Sequence, residues 1–292
     1  MVMLSILFGL AIGATAQEEL APFVGVKAKG TIKQLNESIQ ADIKSAGFEI
    51  VGEYAVAQNN DLYVICFTRD DLKETCAKFS DRGALASVLK IGMRKDSNHI
   101  EVSLLNPVYM FHAYFGEEYS SQASALKKID QDAKNILVSS FGPLSDFGGK
   151  VETKELEKYH YKVMMPYFDD PIVLEEYDSF DKGLAFIRKK IAADHDINVI
   201  YEVIMKDKQT AVIGLSLQDE EEGEAVFLPI IGERHIAAMP YEIILQKNEV
   251  SMLHGKYRIA LFWPELSMGT FMKIMSTPGD IEDAMEDVTV LD

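Results

Sequence analysis

Cysteine is scarce in this chain: only Cys66 and Cys76 occur, and no C-x-x-C is present, which excludes a thioredoxin-type redox site. In an exported chain the two could pair, closing a loop of roughly ten residues. However, Cys66 falls in an apolar strand-like run and Cys76 in a helix-like one, so two buried free thiols are the other reading. Positive charge is also short. Lys and Arg number 29 against 46 Asp and Glu, a net charge of -17, which repels phosphate backbones and anionic lipid surfaces and removes nucleic acid as a partner. No G-x-S-x-G, Walker A, H-E-x-x-H, dinucleotide-binding glycine pattern or EF-hand loop is found. The six histidines (His99, His112, His160, His195, His235 and His254) stand apart, none at a spacing that aims two imidazoles at one metal.

What is present is a chain of 292 residues, 48% hydrophobic and 26% charged, a globular composition long enough for one large domain or two ordinary ones. Its start reads as a signal peptide over residues 1–16. An apolar segment from Val2 to Ile12 is followed by Ala14, Thr15 and Ala16 in the A-x-A pattern before Gln17, although the basic residues expected ahead of the apolar run are missing. The expectation is export to the periplasm or beyond. With no cysteine near the cleavage point, no lipid anchor remains after cleavage.

The pattern then alternates strands and helices. APFVGVKAKG suits a strand. TIKQLNESIQADIKSAG predicts an amphipathic helix with Thr31 and Gln34 in capping-box spacing, Ile32, Leu35, Ile39 and Ile43 on one face and Gly47 at the stop. FEIVGEYAVA and LYVICFT read as strands, RDDLKETCAKFS as a short helix, and ASVLKIGMRK and HIEVSLL as two more strands running out at Pro107. The second half repeats this order: a strand over YHYKVMMPY, a helix capped by Ser179, strands NVIYEVIM and TAVIGLSL, and last strands AAMPYEIILQKN and VSMLHGKYRIALFWP. Val64-Ile65 and Val212-Ile213 stand 148 positions apart (212 − 64), and Pro107 and Pro264 stand 157 apart (264 − 107). The difference is assigned to the acidic stretch LQDEEEGEAVF. The chain thus reads as one unit written twice, joined by a helix over YSSQASALKKIDQDAKNILVSSF and a Gly-rich linker, FGPLSDFGGK. An acidic helix, PGDIEDAMEDV, closes it.

The run from Gly47 to Met110 resembles the family catalogued as domain of unknown function 302, with a helix ending in G-F, a hairpin, a short helix and a last hairpin finishing at N-P. The second copy is similar but more distant, keeping MPYEIIL (Met239 to Leu245) where the family often has an L-P-C strand opening. The resemblance implies a small two-layer α/β sandwich with an antiparallel sheet and no established activity. Ser87-Val88 replace that opening in the first copy and Tyr241 stands at the cysteine position in the second, so a thiol-based function is not implied. The expected fold class is α+β, internally duplicated, with domains at residues 17–116 and 158–292 and a connection over 117–157.

Candidate chemistry is thin. Met164, Met165, Met239, Met252, Met268, Met272 and Met275 concentrate in the second half and, with His254, offer soft ligands to Cu(I). The helical spacing of Met268, Met272 and Met275 favours core packing instead, leaving His254, Met252 and Met239 as weak metal candidates and no cofactor expected. DEEEGE (Asp219 to Glu224) lacks the alternating ligand spacing of a Ca²⁺ loop and reads as a solvated loop, and the adjacent Asp169 and Asp170 diverge. Tyr109, Phe111, Tyr114, Trp263 and Phe271 follow the last strands of the two copies, where they form a seam between domains or line a groove. The function expected is that of a non-enzymatic binding or interaction module whose partner is a protein or a hydrophobic small molecule, with a homodimer allowed. The rival is a metal or redox accessory, or an enzyme, using His and Met groups gathered only by the fold.

Overall fold

The computed structural model describes residues 18–160 and 165–291. The expected leader at residues 1–16 and the middle of YHYKVMMPY, residues 161–164, lie outside the described residues.

Strands β1 (Glu19–Leu20) and β2 (Phe23–Ala28) precede helix α1 (Ile32–Ser45). The capping box forms as its spacing predicts: the Gln34 backbone N–H donates to Thr31 Oγ1 at 3.2 Å, and the Thr31 N–H donates to Gln34 Oε1 at 3.1 Å. Leu35, Ile39 and Ile43 of α1 are buried. The chain continues through β3 (Glu49–Ala55), β4 (Leu62–Thr68), α2 (Asp70–Cys76), β5 (Leu89–Asp96), β6 (His99–Leu105), α3 (Pro107–Phe115) and the long α4 (Ala123–Phe141). Short elements β7 (Ser145–Phe147), β8 (Val151–Glu152) and α5 (Thr153–Leu156) follow. Then come β9 (Ile172–Glu176), α6 (Phe180–Ala193), β10 (Ile197–Met205), β11 (Thr210–Leu217), α7 (Glu224–Ile231), β12 (Tyr241–Gln246), β13 (Glu249–Met252) and α8 (Gly255–Phe262), and last α9 (Met268–Phe271) and α10 (Thr277–Asp287).

The fold class is α+β. One sheet has the order β3-β4-β5-β6-β2-β7 and the other β10-β11-β12-β13-β9, with every pairing antiparallel. Without β7, the two orders are the same path taken by successive elements. Helices α1 and α4 cover the first sheet and α6 covers the second. The opposite faces turn toward each other. Residues 233–238 lie on β4, β5 and β6, residues 83–87 reach β11 and β12, and edge strands β3 and β10 meet. One continuous set of buried apolar residues runs from Phe23 through both sheets to Val288. No helix among the described residues is long and apolar enough to cross a membrane.

Three sequence expectations change. The strand ahead of α6 is β9, within PIVLEEY, because β-branched Ile172 and Val173 favour extended backbone; the described end of YHYKVMMPY, with Pro166 unable to donate to a ladder, is not strand. The run VSMLHGKYRIALFWP is a strand only to Met252. His254 Nδ1 then accepts from the Lys256 N–H at 3.2 Å and starts α8, a helix buried on nearly every side and therefore without an amphipathic period. Finally, Pro107 is the first residue of α3, where its missing N–H costs nothing, whereas Pro264 lies beyond the end of α8. The two prolines are not equivalent, and the offset of 157 has no structural counterpart. The Gly-rich linker is also part of the fold: β7 pairs with β2, and β8 with β1. Cys66 and Cys76 are both buried and free, and burial pushes the Cys66 thiol up to about 12.

A candidate binding cleft beside a buried polar seam

Helices α3 and α8 meet through reciprocal bonds. The Tyr109 hydroxyl donates to Leu261 O at 2.7 Å, and the Tyr257 hydroxyl donates to Ala113 O at 3.3 Å. Tyr159, just past α5, adds a third bond, to Ala260 O at 2.7 Å.

At the open end of this seam lies a cleft of about 300 Å³. Phe79 after α2, Tyr114 and Phe115 at the end of α3, Tyr159 after α5, and Tyr167 and Phe168 ahead of β9 line it. The rings support one another: Phe79 stacks on Phe115 at 3.8 Å with a 3° interplanar angle, and Tyr114 on Phe168 at 4.8 Å. Phe168 also meets Tyr257 edge-on at 6.1 Å. Such ring pairs stabilise by about 0.5–1.5 kcal/mol beyond their buried area and hold a concave surface in shape. Asp81, Glu118, Glu157 and Asp169 bring carboxylates to the same cleft.

Below the cleft, charge is buried between the sheets. Lys90 of β5 pairs with Glu242 of β12, and the Lys90 ammonium also donates to Pro240 O at 3.4 Å. Arg258 of α8 donates to Ala238 O, to Pro240 O at 2.8 Å and to Glu242 Oε2 at 3.4 Å, with its guanidinium 3.8 Å above the Tyr241 ring. The Tyr201 hydroxyl donates to Glu242 Oε1 at 3.1 Å. Desolvation pulls the Lys90 ammonium below its ordinary range, opposed by Glu242. A second lock joins the halves farther along. Glu224 of α7, fully buried, accepts from the Tyr54 hydroxyl and from the Ala57 N–H, each at 3.0 Å. Burial raises its carboxyl to about 7. The carboxylates of Glu242 and Glu224 are satisfied by the chain itself, whereas Arg258 places all three of its bonds through one nitrogen and leaves Nε and the other Nη without a hydrogen-bond partner among the described residues.

The five aromatic candidates do not share one surface. Tyr109, Phe111 and Trp263 are core residues, and the Trp263 Nε1–H donates to Gly232 O at 3.2 Å. Phe271 is half-buried on α9, and Tyr114 alone of the five lines the cleft. Of the metal candidates, Met239 and Met252 are buried in the apolar core and the His254 Nδ1 lone pair is used in capping α8. The histidines keep separate company. His112 meets Glu157 at 3.2 Å and stacks on Tyr119 at 3.8 Å. His235 bonds Phe262 O at 2.7 Å and stacks on Trp263 at 5.4 Å, and burial pushes its imidazole down to about 4.

Met268, Met272 and Met275 are not core residues. Their exposures are 46%, 57% and 61%, because α9 and the turn after it run along the outside and Ile274 is the residue directed inward. Asp96, His99 and Glu101 bring ligand-type atoms within 4.8 Å of one another. The Arg94 guanidinium, however, bonds Glu101 at 2.6 and 3.0 Å and Arg234 approaches it at 3.4 Å, so the cluster is a balanced ion-pair group. In the acidic loop, Asp219 accepts from the Glu221 and Glu222 N–H groups at 2.7 and 2.8 Å, an Asx-type turn.

Sequence reading missed Lys90, Glu224, Glu242 and Arg258. Lys90, Glu242 and Arg258 are lone charges inside apolar runs, as in VLKIGM, PYEIIL and YRIALF, and such residues are almost never fully buried unless paired. Glu224 ends the acidic run DEEEGE, expected to be a solvated loop, but starts helix α7 and is fully buried. No family model and no curated protein matches this chain.

Proposed function

We propose that this chain is an exported, non-enzymatic binding module. In this reading its two halves are an internal duplication of a domain like that of unknown function 302, and the cleft beside their seam is the ligand site. The observation that carries the reading is the cleft itself. Six rings, four of them stacked in two pairs, line about 300 Å³ at the junction, a volume at the lower end of small-molecule sites. The shared strand order of the two sheets and the reciprocal tyrosine bonds support duplication. Native mass spectrometry of the full chain purified from its host's exported fraction tests the assignment. A reproducible small-molecule adduct that Phe168→Ala removes is expected. An apo mass in both proteins, or an adduct that the variant retains, overturns it.

A metal-accessory reading draws on one observation, the outward-facing thioethers of Met268, Met272 and Met275 at i, i+4 and i+7, soft donors of the type that select Cu(I). Competition with a chromophoric Cu(I) chelator, repeated with the triple Met→Leu variant, tests it; equal competition by both proteins rejects it.

A further inference from the structure

The cleft is aromatic, but it is not neutral. Asp81, Glu118, Glu157 and Asp169 line it, and among the described lining residues the one cation is Lys158. Lys158 is already engaged, 2.6 Å from Glu117. Asp81 pairs with Arg82, and Glu157 faces His112 at 3.2 Å, whose imidazole is held below its ordinary range by desolvation and so brings no charge at neutral pH. Glu118 and Asp169 have no ion pair or hydrogen bond among the described residues. Three carboxylates are therefore less than fully compensated at the rim of a ring-walled cavity. The Asp81 carboxyl reflects this: it is raised first by desolvation and further by Asp169 and Glu118, against the lowering effect of Arg82.

Rings have a negative face, and a cation within about 6 Å of a ring centroid is attracted to it, more strongly as water is removed. The protein already uses this attraction at the site. The Arg82 guanidinium stands 5.7 Å from the Phe168 centroid while donating to Phe168 O at 3.4 Å. Tyr114 stacks on the same Phe168 ring at 4.8 Å and also lines the cleft. An apolar neutral ligand would satisfy the rings and leave the carboxylates unpaired; an anion would be repelled by them.

We infer that the ligand of this cleft is a small organic cation, an alkylated or primary ammonium compound, held with its charge between the ring faces and the Asp169 and Glu118 carboxylates. This inference rests on the cleft being the binding site, as proposed above, and adds the class of molecule that fills it.

Isothermal titration of the full chain with choline, and with its uncharged carbon isostere 3,3-dimethylbutan-1-ol, tests the inference. Choline is expected to bind saturably and at least tenfold more tightly than the isostere, and to weaken as sodium chloride rises from 50 to 500 mM. Glu118 and Asp169 are exposed, so the Glu118→Gln/Asp169→Asn double variant retains its fold, checked by an unchanged thermal midpoint. It is expected to lose about tenfold in choline affinity while binding the isostere as before. Equal affinity for choline and the isostere overturns the cationic class and leaves the cleft standing as an apolar site. Choline binding that is unaffected by both the double variant and Phe168→Ala overturns the location. Failure of choline and of tetramethylammonium to bind at all, in a protein that carries a native adduct removed by Phe168→Ala, overturns the cation alone; failure without that adduct overturns both readings.

Discussion

Tyr109 and Tyr257 make the same bond in opposite directions. One hydroxyl reaches from α3 to Leu261 O and the other from α8 to Ala113 O. Both donors and both acceptors stand 148 positions apart (257 − 109 and 261 − 113), the spacing of Val64 and Val212 on the matching strands β4 and β11. The seam is therefore reciprocal, each half offering the other a donor and an acceptor at matching positions.

Because the bonds are matched, their loss should be matched. Tyr109→Phe and Tyr257→Phe each remove a buried hydroxyl that satisfies a carbonyl, and each is expected to lower stability by about 1 kcal/mol. Urea unfolding followed by circular dichroism and by Trp263 fluorescence measures this. A single transition seen equally by both probes is expected, since the apolar core runs through both halves. Two separated transitions would show that the seam does not couple them.

Lys90 and Glu242 are the charged link between the sheets, with side chains 4% and 8% exposed. Lys90→Met removes the closer of the two cations that face Glu242, leaving Arg258 at 3.4 Å, and is expected to cost about 3 kcal/mol, the lower end of the usual penalty for breaking a buried pair. The Lys90→Met/Glu242→Leu double variant is expected to cost less than the two single changes added together. Simple additivity in a denaturation series would show that the pair is not coupled.

Two buried groups should tilt the pH profile in opposite senses. Burial raises Glu224 from 4.5 to about 7, so the folded state holds a proton that the unfolded chain has released; this stability is present at low pH and is lost as pH rises from 4.5 through 7. Burial lowers His235 from 6.5 to about 4. The unfolded chain then takes up a proton that the folded state refuses, and stability is lost as pH falls from 6.5 toward 4. The two slopes oppose each other across pH 4.5 to 6.5. Glu224→Gln is expected to lose stability on acidification through that range more steeply than the parent, and His235→Gln to lose less or to gain. Chemical denaturation at pH 4.5, 5.5 and 6.5 reads both, and parallel profiles in all three proteins would contradict the assignment.

Methionine exposure divides the second half sharply. Met268, Met272 and Met275 are open to solvent, while Met239 and Met252 are sealed in the core. Dilute peroxide followed by peptide mass spectrometry is expected to oxidise the first three at least tenfold faster than the last two in the folded protein. Equal rates would show that the core opens on the time scale of the reaction.

Much of the fold was legible in local pattern. The capping box at Thr31 and Gln34, the apolar face of α1 and the β-branched runs of β4, β10 and β11 are written in consecutive residues, and the repeated order followed from them. The offset between Pro107 and Pro264 fails where burial erases periodicity: α8 is buried on nearly every side, so its sequence looks like a strand that ends at Pro264. The outward stripe of Met268, Met272 and Met275 was mistaken for a core stripe because spacing marks a face without saying which way it turns. The cleft was only partly visible. Tyr114 was singled out from its position after the last strand of the first half. Phe79, Tyr167 and Phe168, by contrast, come from segments far apart in sequence, and the carboxylates beside them had no local motif.

In the proposed reading the cleft at the seam holds the ligand. Aromatic carbon–proton NMR of the full chain, recorded during titration with tetramethylammonium chloride, locates the binding site. Saturable shifts concentrated on Phe79, Tyr114 and Phe168, with Trp263 and Tyr201 unmoved, are expected. Shifts confined to groups near the acidic loop at Asp219, or none at all, overturn the reading.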